Sequence, residues 1–122
     1  MRAILSLAVL LLCAPVVGAQ ADTLCAEPPI PAAVDGASAN ADQMRAAMAD
    51  ARSFIAQSGV YQDCLLKEVE AAKTQATAAG QPFEPMLETS AQARIELSRK
   101  AQEKVGAAAN SALAAYKNGH RN

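Results

Sequence analysis

The sequence predicts an all-α fold: an Ala-rich, coiled-coil-like antiparallel two-helix hairpin with an extended N-terminal arm pinned by a disulfide. Three observations carry this reading. Two long stretches, about 40–79 and 85–117, repeat apolar residues at three- and four-residue spacing. Between them, Gly80-Gln81-Pro82-Phe83-Glu84-Pro85 breaks helix and turns the chain. One cysteine, Cys25, lies in a Pro-rich stretch, and a second, Cys64, lies well inside the first helical run.

The first element, residues 1–21, reads as a signal peptide. Met1-Arg2 supplies a positive start, Ile4 to Val17 an apolar run, and Ala19-Gln20-Ala21 a small-x-small cleavage pattern, so processing is expected near Ala21. The apolar run is short for a spanning helix, and no transmembrane span is expected in the mature chain. Cys13 follows Leu12, where a lipoprotein signal needs a small residue, so Cys13 is expected to leave with the signal. The expected location is the periplasm or the extracellular space. Cys25 and Cys64 then remain as an even pair in an oxidising compartment, which predicts a disulfide between them. It would close a loop of about 40 residues and stabilise the fold by about 4 kcal/mol in the chain-entropy model.

Residues 22–39 form the arm. Pro28-Pro29-Ile30-Pro31 excludes helix and favours extended geometry. From Cys25 to Asn40 such a chain reaches about 46 Å, while Asn40 to Cys64 spans about 36 Å of helix. The arm can therefore run antiparallel to the first helix and reach Cys64. Leu24, Ile30 and Val34 are expected to cover Phe54 and Tyr61.

The first helix opens with Asn40 as N-cap and Gln43 as its capping-box partner; Ser38 is the competing cap. Its apolar stripe is Met44, Met48, Ala51, Ile55, Leu65, Val69, Ala72 and Ala76. Asp63 with Lys67 and Glu70 with Lys73 are expected surface pairs. Gly80 suits the C-cap. The second helix begins at Pro85, with Glu84 and Glu88 near its positive end. Its stripe is Leu87, Ala91, Leu97, Ala101, Val105, Ala108, Ala112 and Ala115, and Glu96 pairs with Lys100. Residues 118–122 are expected to form a flexible tail.

If the turn centres on Phe83, facing residues have numbers summing to about 166. Leu65 then faces Ala101, Ile55 faces Ala112 and Gln62 faces Val105. Gly59 and Gly106 fall at one level, where the axes are expected to come closest. Val60, Leu66, Ile95 and Leu113 lie off this seam and are candidates for contact with another chain.

Composition narrows the function classes. Lys and Arg number 11 against 12 Asp and Glu, a formal net charge of −1. That supplies no basic footprint, and no nucleic-acid partner is expected. Aromatic residues are 3% with no Trp, which leaves few stacking platforms. Alanine makes up about a quarter of the chain; it favours helix but buries little surface. No catalytic residues are expected: the sole histidine, His120, lies in the tail, and HExxH, GxSxG and phosphate-loop patterns are lacking. Met44 and Met48 sit one turn apart, a spacing that suits a soft metal or core filling; filling is the expectation, with no metal or cofactor. The most distinctive cluster is Tyr61-Gln62-Asp63-Cys64. With Phe54 nearby, Phe54, Tyr61 and Gln62 form the candidate binding patch.

So thin a core is commonly completed by another chain. The expectation is therefore an exported, non-enzymatic structural or interaction protein of the cell envelope. It would act by helical protein–protein contact with a partner or a second copy as a dimer. The alternative is a periplasmic carrier or chaperone-like binder of an apolar ligand or unfolded chain.

Overall fold

The computed structural model describes residues 25–121; the expected signal peptide, its expected cleavage site and Leu24 lie outside the described residues. Helix α1 spans Ala41–Ala78 and helix α2 spans Pro85–Gly119, and the two pack against each other as a hairpin. The Cys25–Cys64 disulfide is present, with the two Cα atoms 5.6 Å apart. It ties the arm to the middle of α1.

Local chemistry sets each boundary. Asn40 and Gln43 form the expected capping box, each side chain accepting from the other's backbone N–H at 2.9 Å. Ser38 instead donates its hydroxyl to Asp35 at 2.8 Å, within the turn that delivers the arm to α1. At the far end Gly80 adopts φ 64°, a left-handed conformation open to glycine. The Gln81 N–H reaches the Ala76 carbonyl and the Gly80 N–H reaches that of Thr77, a full Schellman stop. Pro85 opens α2 without needing a donor. The second helix runs to Gly119, two residues past the expected 117, and His120 closes it by donating its N–H to the Tyr116 carbonyl at 3.1 Å.

The seam is built from three small apolar clusters. Near the turn, Tyr61, Leu65 and Val69 pack with Ala91, Ile95 and Cys25, and Phe83 closes the group. In the middle, Ala51 and Phe54 pack with Val105. At the open end, Met44 and Ala39 pack with Ala112, joined by Val34, Met48, Leu113 and Tyr116. Between the first two clusters lies a polar layer of Ser58, Gln62, Ser98 and Gln102, of which Ser58 and Ser98 are fully buried.

Several expectations are corrected here. The register is different: Gln62 bonds Ser98 and Gln102, not facing Val105, and Lys73 bonds Glu88. Leu65 shares its cluster with Ile95, not Ala101. Helix α2 is thus displaced by about one to two turns from the expected alignment. The cause is the connection. The chain reverses at Gly80, and the extended residues after it cover about 3.3 Å each against 1.5 Å for helix, so Phe83 is already on the return leg.

The shift re-sorts the faces. Ile95 is 3% exposed and Leu113 joins the open-end cluster, so neither is a free contact residue; Leu97, placed in the stripe, is 64% exposed. Ile55 gives its seam place to Phe54, and Leu87 is also exposed. Gly59 and Gly106 do not mark a close approach. A Cβ on Gly59 would meet nothing within 4 Å, and one on Gly106 would meet only the Ile55 side chain at 3.9 Å. The tight contact is in the arm, where a Cβ on Gly36 would fall on the Ala112 carbonyl. Lys73, expected to pair with Glu70, crosses the hairpin to Glu88 at 3.1 Å and lies over the Phe83 ring at 5.4 Å.

Candidate functional site

The arm leaves the disulfide and runs back along α1 toward its N-terminus, as the two reaches allow. Cys25 and Pro28 are buried, and Val34 docks in the open-end cluster. Ile30 stays 67% exposed, and with Pro29 and Pro31 it lines a recess beside Phe54 and not Tyr61. Both aromatics pack in the seam, Phe54 with Ala51 and Val105, and Tyr61 with Leu65, Ile95 and the arm's Cys25. Helical spacing sets this: Phe54, Ser58, Tyr61 and Leu65 recur at three- and four-residue steps and share the inner face.

The three residues of the sequence-based patch therefore form no open surface. Phe54 fills the middle cluster. Tyr61 is buried in the turn-side cluster, and its hydroxyl accepts from Arg94 Nε at 2.9 Å. Gln62 is half-buried and donates to Ser98 Oγ and Gln102 Oε1, both at 3.0 Å. Gln102 in turn donates to the Ile55 carbonyl at 2.9 Å. Three bonds of this network cross the hairpin, while the neighbouring Ser58 has a buried hydroxyl with no partner. Such a layer rewards one alignment over its neighbours, because a slip strands its amides away from water.

Glu68 lies one helical turn beyond Cys64, and its carboxylate falls within 4.8 Å of both sulfurs. The sulfurs are bonded to each other, so they offer no thiolates to a metal. Met44 is core and Met48 partly so, in agreement with their reading as filler. His120 stacks on Tyr116 at 4.2 Å between centroids, and its Nδ1 lies 2.9 Å from the Tyr116 carbonyl.

The concave feature that sequence reasoning did not locate lies under the arm. Arm residues 30–34 form one wall, Ala47 and Ala51 of α1 another, and Lys104, Val105 and Ala108 of α2 the third. The groove is partly open, its volume is about 180 Å³, and apart from Lys104 the lining side chains are apolar. Alanines on both helices leave the space, and the proline-stiffened arm bridges it without filling it. The spacing of Ala101, Ala108 and Ala112 was visible in the sequence as a seam stripe. Its use as a groove floor depends on the register.

Among the described residues no helix is long and apolar enough to cross a membrane. No protein-family model matches the chain, and no significant match exists among curated proteins or solved structures.

Proposed function

We propose that this protein is an exported, non-enzymatic interaction module of the cell envelope that works by presenting a helical surface to another chain. One observation supports this reading above others: the seam is covered unequally. The arm shields the flank that carries Ala47, Ala101 and Ala108. Helical periodicity puts Ile55 and Leu66 on the opposite flank, beside Gln62, where they are 39% and 48% exposed. The disulfide suits an oxidising compartment and holds the covered flank shut.

Sedimentation of the oxidised protein over a wide concentration range tests this. Mass is expected to rise with concentration in the wild type and to stay monomeric in Leu66→Lys, with helical circular dichroism equal in both. A wild type that stays monomeric, with an envelope-extract pull-down unchanged by Leu66→Lys, overturns the reading.

The groove under the arm favours a second reading, a carrier or chaperone-like binder of an apolar ligand or unfolded chain. It uses the other flank, so the two readings stand or fall separately.

A further inference from the structure

We propose that the groove under the arm is a binding site for a small amphiphilic carboxylate, a short alkyl chain with an anionic head, with Lys104 receiving the head. The proposal rests on the carrier reading and specifies its ligand class.

Three properties of the site argue for this class. The first is size. About 180 Å³ is slightly more than the ~150 Å³ apolar cavity that accepts benzene, so an occupant carries on the order of six to eight carbons. An unfolded chain would need a far longer channel. The second is lining. Ile30, Val34, Ala51, Val105 and Ala108 offer alkyl surface and no side-chain hydrogen-bond partner, which excludes sugars and other polar guests. The third is charge. Lys104 is the one charged side chain at the groove, and among the described residues no carboxylate pairs with it. Its helical neighbours one turn away are Lys100, Ala101, Ala107 and Ala108, so α2 supplies no counter-ion either. Asp35, the acid at the end of the arm, is engaged with Ser38 and the Ala37 N–H. A carboxylate head beside Lys104 completes a pair that the chain leaves open, while its alkyl chain lies along the alanine floor.

The disulfide gives the site its wall. With Cys25 released from Cys64, residues 30–34 lose their tether on the N-terminal side and the groove loses one face.

The test is calorimetric titration of the oxidised protein with octanoate and, separately, with the uncharged octanol. Lys104→Gln and Ala108→Phe are the variants; both positions are exposed, so the fold tolerates the changes. Octanoate is expected to bind with one-to-one stoichiometry. Lys104→Gln should weaken it about two- to fivefold, the range of an exposed ion pair, and leave octanol unchanged. Ala108→Phe should abolish binding of both by filling the groove. Octanoate binding equally to wild type and Lys104→Gln, with Ala108→Phe still blocking both ligands, overturns the head-group assignment and leaves an apolar carrier standing. Binding of neither ligand, or binding insensitive to Ala108→Phe, overturns the site altogether.

Discussion

Gly59 and Gly36 show how little a residue type says until its surroundings are known. Gly59 is a helix-interior glycine with open space where a Cβ would stand. Gly59→Ala should therefore stabilise the protein by about 0.5–1 kcal/mol, read as a higher urea midpoint with unchanged slope. Gly36 looks dispensable in a Pro- and Ala-rich arm, yet its backbone lies against the Ala112 carbonyl. Gly36→Ala should push the arm off α2 and destabilise by about 1–3 kcal/mol. Two seam residues make a parallel contrast. Leu65, fully buried among Tyr61, Val69 and Ile95, should lose about 2–4 kcal/mol on change to alanine. Ser58→Ala removes a buried hydroxyl that has no partner, so its effect should be near zero or stabilising. The same denaturation series checks both.

Helices α1 and α2 were legible almost to the residue, because Asn40-x-x-Gln43, Gly80 and Pro85 are local signals whose physics needs no tertiary context. The disulfide was legible for a similar reason: with Cys13 assigned to the expected signal peptide, two cysteines remain, and they lie within mutual reach. Alignment between the helices was not. Alanines recur so often that several registers satisfy the apolar pattern, and what separates them is polar: Gln62, Ser98 and Gln102 meet in one register. Conformation of the link after Gly80, which determines how far the chain travels per residue, is also invisible in a pattern count. The candidate patch failed for the same cause. Phe54 and Tyr61 are absent from the expected stripe, and a seam that turns through Ser58 draws both inward. A zero-length carbodiimide cross-link checks the observed register on the native chain. Lys73 should join Glu88, its partner at 3.1 Å. The register centred on Phe83 instead puts Lys73 opposite Ala93 and gives no such product.

At the scale of the whole molecule, the hairpin holds few large apolar side chains for its length, so its cohesion is divided among the seam, the polar layer and the covalent tie. Reducing the disulfide should lower stability by about 4 kcal/mol while most helical circular dichroism survives under native conditions. The seam clusters other than the turn-side one contain no cysteine. Complete loss of helical signal on reduction would mean that the arm nucleates the hairpin instead of decorating it.

The position of Cys64, midway along α1, has a mechanical consequence. A pull on the arm from its N-terminal side enters the hairpin through the sulfur–sulfur bond, at the middle of the first helix. The chain between the two cysteines, a separation of 39 residues, is a slack branch that bears no tension. It includes the capping box, the Gly36 turn and the arm and α1 walls of the groove, so those two walls carry no load while the α2 wall, beyond Cys64, does. A single-molecule stretch should show the hidden length directly: reduction should add about 140 Å of contour to full extension.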